Sequence, residues 1–107
     1  MTAITTSSSG EMLVVEFLDR QFLDSQRIQQ VGRELLAVVP TLSGNKLVLS
    51  FKGVAYMSSA MINELVSLNK ACKTQGVTLE FSNVQPNVME VFKITRLFGD
   101  DGPQVQG

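Results

Sequence analysis

The sequence predicts an α/β domain with a mixed β-sheet of about four to five strands and three to four α-helices. Segments rich in strand-forming residues alternate along the chain with segments whose apolar residues recur at helical spacing. A chain of 107 residues, 44% of them hydrophobic, is long enough for one modest core. We therefore expect a single domain over residues 1–99 and a disordered tail over residues 100–107, which has little to bury.

The amino-terminal segment predicts a pair of antiparallel strands. Residues 12–18, MLVVEFL, are rich in strand formers, and the cluster SSSG at 7–10 is typical of a turn. Residues 3–6 can then pair with residues 12–18 as a short edge strand. This first pair makes the predicted sheet mixed.

A helix and a buried strand are predicted next. From Ser25 the apolar residues recur at three- and four-residue steps with polar residues between them, which predicts an amphipathic helix that ends near Pro40. Residues 46–51, KLVLSF, are apolar nearly throughout, and such a strand is typically buried on both faces. We expect this strand at the centre of the sheet.

The second half of the chain repeats the order of helix and strand. A helix over about residues 58–74 ends before Gly76, a residue typical of helix C-termini, and VTLEF at 77–81 forms the next strand. Pro86 suits the first turn of a last helix, which Gly99 ends. Strands joined by helical crossovers are expected to be parallel. An α+β arrangement with helices on one face only fits the same order.

Composition argues against an enzyme. The chain has no histidine and one cysteine, Cys72, which excludes a disulfide within the chain, a Ser-His-Asp mechanism and most zinc or iron sites. The carboxylates are scattered, and no glycine-rich phosphate-binding motif occurs. We expect no catalytic residues, no metal site and no cofactor.

Charge and hydropathy argue against nucleic acid and membrane insertion. Nine basic and ten acidic residues give a net charge of -1, too little to hold a polyanion. The longest apolar run, at residues 35–39, is far shorter than a membrane span, and the first ten residues lack the layout of a secretory signal. A cytoplasmic location is expected.

Two adjacent serines open the helix predicted at residues 58–74. At about 100° of rotation per residue, this helix has an apolar face and an opposite polar face. Ser58 lies at the boundary and is expected to cap the helix with its hydroxyl, whereas Ser59 is the first helical residue, exposed where the helix dipole favours negative charge. The apolar face carries Met61, Leu65, Leu68 and Cys72, and the polar face carries Ser59, Asn63, Ser67 and Lys70.

These segments together resemble the STAS family, the domain shared by sulfate transporters and bacterial anti-sigma factor antagonists. The resemblance spans almost the whole chain. It is carried by FLD at 22–24, by KLVLSFKGVAYMSSAMI at 46–62 and by CKTQGVTLEFSNVQPNVMEVFKITRLFG at 72–99. In its central motif, a buried strand, a short turn and a serine pair lead into a helix.

The resemblance implies a phosphorylation-regulated protein-binding module. In the antagonists, the second residue of the serine motif is phosphorylated by a partner anti-sigma factor serine kinase, and that residue is Ser59 here. The unphosphorylated antagonist binds the kinase and frees its sigma factor, and a PP2C-type phosphatase restores this form after phosphorylation. The resemblance implies no catalysis by the antagonist. The positions it assigns to partner binding are Ser58, Ser59, Asn63 and Asp24.

Three residues depart from the family pattern, and a second function stays open. Ser58 stands where many antagonists have aspartate, Ser50 replaces an aspartate of the preceding strand, and Met61 replaces the usual glycine. Because Met61 falls on the apolar face, it is expected to fill core space. The alternative function is a constitutive STAS subunit of a larger assembly, such as a lipid-transport ABC system or a signalling scaffold. The oligomeric state also stays open.

Overall fold

The fold is a β-sheet flanked by helices, seen in a computed structural model that describes residues 3–42, 44–95 and 104–106. A 3-10 turn at Val39–Thr41 follows the first helix. The strands are β1 Ile4–Ser9, β2 Met12–Phe17, β3 Gln21–Phe22, β4 Lys46–Ser50, β5 Tyr56–Met57, β6 Thr78–Ser82 and β7 Gln104–Val105. The helices are α1 Ser25–Val38, α2 Ser59–Thr74 and α3 Pro86–Thr95.

The main sheet is mixed, as predicted. Its strand order is β1-β2-β4-β6-β7, with β1 antiparallel to β2 and all later neighbours parallel. The predicted central strand, β4, lies in the middle, and its residues 47–50 are buried on both faces. The strands β3 and β5 form a separate two-stranded parallel sheet.

One face of the main sheet carries the core. Val15, Leu49 and Phe81 lie in register across three neighbouring strands, and all three are fully buried. Successive parallel strands advance in one direction across the sheet, and right-handed crossovers then put their helices on a single face. The described residues therefore adopt the arrangement with helices on one face. The buried helical residues in this core are Ile28, Val31, Leu35, Met61, Ile62, Leu65, Leu68, Cys72, Val88 and Phe92.

Phenylalanines fill the core at the carboxyl ends of the parallel strands. Neighbouring rings lie with centroids 5.0 to 5.9 Å apart, several of them edge to face. This cluster lies at the end of the sheet where the loops leave the parallel strands. Its members are Phe17, Phe22, Phe51, Phe81 and Phe92.

The predicted turn at residues 7–10 is wrong in its position. Residues 7–9 continue β1, which pairs with β2 in an unbroken register from Ile4 opposite Phe17 to Ser9 opposite Met12. Gly10 has φ of 64°, so it supplies the left-handed conformation of a short turn by itself. The three serines stay extended for that reason.

The expected disorder of residues 100–107 does not hold for residues 104–106. Gln104 and Val105 pair with β6, Gln106 donates its N–H to Phe81 O at 2.9 Å, and Val84 donates to Gln106 O at 3.0 Å. A polar segment with little to bury can still be held by backbone hydrogen bonds at an open sheet edge. The end of the last helix, predicted at Gly99, lies outside the described residues.

Both predicted termini of the later helices within the described residues agree with the structure. α3 begins at Pro86. α2 ends before Gly76, whose φ is 71°; Val77 N–H donates to Cys72 O at 2.8 Å, and Gly76 N–H to Lys73 O at 3.2 Å. This pair of bonds is a Schellman motif, which satisfies carbonyls at the end of the helix.

Candidate functional site

The short parallel sheet of β3 and β5 brings two distant segments together. Gln21 pairs with Tyr56 and Phe22 with Met57. The pairing continues beyond the strands, since Ser58 N–H donates to Phe22 O at 3.0 Å. Each strand is followed directly by a helix, so the first residues of α1 and α2 lie side by side. The four residues predicted for partner binding therefore lie at these two neighbouring helix starts, Asp24 at α1 and Ser58, Ser59 and Asn63 at α2.

The start of α1 is capped by a side chain. Asp24 has extended backbone angles and accepts a hydrogen bond from Gln26 N–H at 3.4 Å through Oδ1. Its carbonyl also accepts from Ile28 N–H at 2.9 Å. Asp24 is exposed, so the same carboxylate can cap the helix and remain accessible to a partner.

The start of α2 differs from the prediction. Ser58 occupies the N-cap position, and its carbonyl accepts from Met61 N–H at 3.1 Å. Its hydroxyl makes no capping bond, and this oxygen is buried without a hydrogen-bond partner among the described residues. The predicted side-chain cap is therefore wrong. Both N-cap residues are extended, but among the described residues a side-chain cap is found at the start of α1 and not at the start of α2.

Ser59 lies where the helical projection placed it. It is the first residue of α2 and is exposed, as is Asn63 one turn further along. The first turn of α2 contains no acidic residue. Lys70 lies on this exposed side but about 16 Å further along the axis, since each residue advances a helix by about 1.5 Å. It is therefore too distant to pair with a group at Ser59.

The opposite side of α2 is fully buried, as predicted. The side chains of Met61, Leu65, Leu68 and Cys72 are all inaccessible to solvent. Met61 thus fills core space and does not add bulk beside Ser59. Burial raises the pKa of the Cys72 thiol from 9.0 to about 11, because removal from water disfavours the thiolate. Cys72 is a structural residue in this position.

Two exposed apolar side chains near the start of α2 were not predicted from the sequence. Leu23 is 58% exposed and Tyr56 is 51% exposed, although each is next to a buried residue, Phe22 and Met57 respectively. Tyr56 lies in β5 and Leu23 directly follows β3, and successive side chains of such extended segments alternate between the core and solvent. The period-2 alternation was present in the sequence, but segments this short do not show which face is buried.

The loop before β5 is held by a backbone turn and by a side-chain hydrogen bond from the third helix. Gly53 has φ of 89° in a turn closed by Val54 N–H donating to Phe51 O at 2.9 Å. Asn87, near the start of α3, donates through Nδ2 to Ala55 O. A loop bound at both ends presents Tyr56 and the following serines in a defined position.

Ser50 replaces an expected aspartate and makes a structural hydrogen bond. Asn83 Nδ2 donates to Ser50 Oγ at 3.1 Å, and Ser50 is buried. Asn83 has φ of 57°, a left-handed conformation that asparagine tolerates better than most residues. The hydrogen bond joins the last residue of β4 to the residue after β6. Ser50 therefore stabilises the loops at this end of the sheet.

Neither a metal-ligating cluster nor a membrane-spanning helix occurs in the part of the chain that the structure describes. No group of three or more metal-ligating side chains converges there. None of the described helices is both long and apolar enough to cross a membrane.

The fold and the serine-bearing helix start define a member of a known class. The family model of the STAS domain matches residues 7–101 of this chain. The chain therefore belongs to the STAS family. The resemblance inferred from the sequence motifs is thereby confirmed.

Several solved structures share the fold at low sequence identity. An anti-sigma-factor antagonist (STAS) domain protein from Planctomyces limnophilus has a TM-score of 0.82 and 22% identity, covering 98% of this chain and 89% of that one. The phosphorylated form of the Bacillus cell fate determinant SpoIIAA has a TM-score of 0.70 and 14% identity, with 98% and 91% covered.

A membrane protein also contains a similar domain. Murine Slc26a9, an anion transporter, has a TM-score of 0.66 and 18% identity, covering 89% of this chain but 16% of that one. The fold is thus shared with an anti-sigma-factor antagonist (STAS) domain protein and with part of an anion transporter.

Proposed function

We propose that this protein is a phosphorylation-regulated antagonist of an anti-sigma factor. It binds an anti-sigma serine kinase in the cytoplasm and thereby frees a sigma factor to act in transcription. Ser59 is the residue that the kinase phosphorylates. The observation that carries the proposal is the exposed position of Ser59 at the start of a helix whose opposite face is buried.

The start of α2 suits a phosphoserine. The first N–H groups of a helix lack acceptors within the helix, and the helix dipole favours negative charge at this end. No acidic residue in the first turn of α2 competes for these groups, and the Ser58 hydroxyl does not occupy them. A phosphate on Ser59 is therefore tolerated by the fold, with a dipole contribution of about 0.3–1 kcal/mol.

The surface around Ser59 has the composition of a protein-binding patch. We define the docking surface as Leu23, Asp24, Tyr56, Ser59 and Asn63, all of which are exposed. An exposed leucine and an exposed tyrosine can supply apolar anchors, and aromatic residues are enriched among those that dominate binding energy. The polar members can supply hydrogen bonds around them. This combination supports binding to a protein.

Phosphorylation would change the charge of the docking surface. A phosphoserine adds about 1.5 to 2 negative charges, next to a surface that already includes the Asp24 carboxylate. A partner that fits the neutral serine would meet extra bulk and a desolvation penalty. The core would not respond, because the buried face of α2 points away from Ser59. The switch we propose therefore acts on binding, with little effect on folding.

The proposed cycle has two protein partners. The kinase binds the unphosphorylated form and releases the phosphorylated one, and a PP2C-type phosphatase regenerates the binding-competent form. The antagonist contributes surface and acceptor hydroxyl, while the chemistry takes place in its partners. It acts without a cofactor and without nucleic acid.

The test is capture of partners from native cytoplasm, with mass spectrometry of captured proteins and of phosphosites. We expect an ATP-binding serine kinase to be captured and phosphate to be found on Ser59. Ser59→Ala should retain the kinase and lose the phosphate. Ser67→Ala is the matched control, since Ser67 is exposed on the same helix, and it should behave as the unmodified chain. Phosphate mapping elsewhere, or no kinase among the captured proteins, would contradict the proposal.

A second candidate is a constitutive STAS subunit of a larger assembly. The similarity to a domain of an anion transporter favours this alternative, since the same fold there forms a small part of a much longer chain. In that case the docking surface is occupied permanently and Ser59 is not modified. Capture of a stable complex with a permease or an ATPase, independent of ATP, would support the alternative.

A further inference from the structure

The strand β1 forms an outer edge of the main sheet. One side of it pairs with β2 in a register without interruption over Ile4–Ser9, and no described strand lies on its other side. The strand at the opposite end, β7, is two residues long. The edge at β1 is therefore the longer of the two within the described residues.

The direction of the free backbone groups follows from one hydrogen bond. Leu18 N–H donates to Ala3 O at 3.1 Å, so the backbone N–H and C=O groups of Thr5, Ser7 and Ser9 face β2. The intervening residues of the strand, Ile4, Thr6 and Ser8, direct their N–H and C=O groups away from the sheet. Three donors and three acceptors thus line the edge in a regular row.

This edge lacks the features that usually prevent strands from pairing. Proteins protect sheet edges with charged side chains, proline, bulges or very short strands. The segment ITTSSS contains no charged residue and no proline, and its one-to-one register with β2 excludes a bulge. The side chains from Thr5 to Ser9 are small, hydroxylated and exposed. No side chain of β1 carries a charge that would repel another extended strand.

We propose that β1 is a homodimer interface, at which it pairs antiparallel with β1 of a second copy. The two-fold axis passes beside Thr6, which lies opposite Thr6 of the second copy, while Ile4 lies opposite Ser8 of the second copy. Each free N–H then meets a free C=O, which gives six backbone hydrogen bonds and extends the sheet across both copies. This interface is independent of the function proposed for Ser59.

A second copy fits this edge better than a partner of different sequence. Antiparallel pairing about a two-fold axis is self-complementary, so one surface supplies equal numbers of donors and acceptors to itself. An uncharged strand meets no repulsion from its own copy, and Thr and Ser side chains directly opposite each other form favourable cross-strand pairs. A charged partner strand would find no side chain of opposite charge in β1.

The expected dimer is weak and forms only at high concentration. A stable interface buries at least about 1,000 Å² of surface, and pairing along one six-residue strand edge buries less than this. The docking surface shares no residue with β1, so the two proposed interfaces use different residues.

The test is sedimentation equilibrium over a concentration series from about 10 μM to about 1 mM. The weight-average mass should rise above 11.7 kDa for the unmodified chain and for Thr6→Val, which keeps the backbone donor. Thr6→Pro removes the N–H at the two-fold axis without removing a bond to β2, and it should weaken dimerisation at least about tenfold. Circular dichroism would verify that each variant folds. If Thr6→Pro does not fold, Thr6→Lys replaces it in the test.

Amide hydrogen exchange provides a second, residue-specific measurement. At high concentration, exchange should slow at the amides of Ile4, Thr6 and Ser8, while those of Thr5 and Ser7 stay protected at every concentration. A mass of one chain at all concentrations, or dimers that Thr6→Pro and Thr6→Lys leave unchanged, would overturn the proposal. Neither result would bear on phosphorylation of Ser59.

Discussion

The starts of α1 and α2 lie side by side, and they satisfy their backbone in different ways. Asp24 accepts a hydrogen bond from Gln26 N–H and closes the first turn of α1 with a carboxylate. Ser58 holds the same position before α2, but its hydroxyl is buried and makes no bond to the helix. The difference teaches that an N-cap residue type does not ensure a cap. The start of α1 has a carboxylate that accepts a hydrogen bond from a free N–H group. The start of α2 has no such acceptor among the described residues, so its N–H groups are available to an anion.

The largest expected effect concerns the orientation of α2, on which this comparison depends. Cys72 is buried on the face opposite Ser59, and burial raises the pKa of its thiol to about 11. A thiol reagent at about pH 8 should therefore label the native protein at least about a hundredfold more slowly than the protein in denaturant. Rapid labelling of the folded chain would mean that α2 is rotated and that Ser59 does not face the solvent.

The same thiol predicts a loss of stability at alkaline pH. Its pKa is about 11 in the folded chain against 9.0 for the ordinary value, so the folded state retains the proton more tightly. The free energy of unfolding should fall as pH rises from about 9 through about 11, by at most about 2.7 kcal/mol. Urea unfolding of the unmodified chain and of Cys72→Ala across this range isolates the effect. Equal pH slopes for the two proteins would contradict the raised pKa.

The next effect tests the open start of α2 as a switch. Ser59→Asp adds negative charge at the docking surface and should weaken the complex with the captured kinase at least about tenfold, or about 1.4 kcal/mol. Ser59→Ala should bind as the unmodified chain does. Calorimetric titration measures both, and urea unfolding should show little change for either variant. Unchanged binding by Ser59→Asp would favour the constitutive subunit.

Removal of the cap tests the complete start of α1. Asp24→Ala should lower the free energy of unfolding by about 0.5–2 kcal/mol, because the N–H of Gln26 loses its acceptor. Asp24→Asn keeps a side-chain oxygen and is the matched control for the loss of charge. If the two variants unfold alike, the contribution of Asp24 comes from its charge near the helix start.

The smallest effect is expected at Ser58. Because its buried hydroxyl lacks a partner, Ser58→Ala should change the free energy of unfolding by less than about 0.5 kcal/mol, or raise it slightly. Ser58→Asp should stabilise the chain by about 0.5–1 kcal/mol, since a carboxylate can cap α2 as Asp24 caps α1. Chemical denaturation measures both changes. A loss above about 1 kcal/mol in Ser58→Ala would show that the hydroxyl makes a bond in solution.

Local sequence patterns determined much of this fold. They lie in β2, α1, β4 and α2, at residues 12–17, 25–38, 46–50 and 59–74. Apolar periodicity distinguishes helix from strand directly, and an all-apolar strand such as β4 indicates burial on both faces. The projection of α2 also placed Ser59 in solvent and Cys72 in the core, because rotation about a helix axis is a local property. These features required no knowledge of distant contacts.

Only the tertiary structure decided what depends on neighbours far apart in the chain. The missing cap at Ser58, the exposure of Leu23 and Tyr56, and the pairing of residues 104–106 with β6 each arise from contacts between separate segments. A hydroxyl's hydrogen bond depends on where neighbouring groups lie, and a two-residue strand has too few positions for its period to be seen. Sequence therefore determined the faces of the long elements and the helix ends at Gly76 and Pro86, whereas three-dimensional packing decided the hydrogen bonding and exposure at the start of α2, where the candidate site lies.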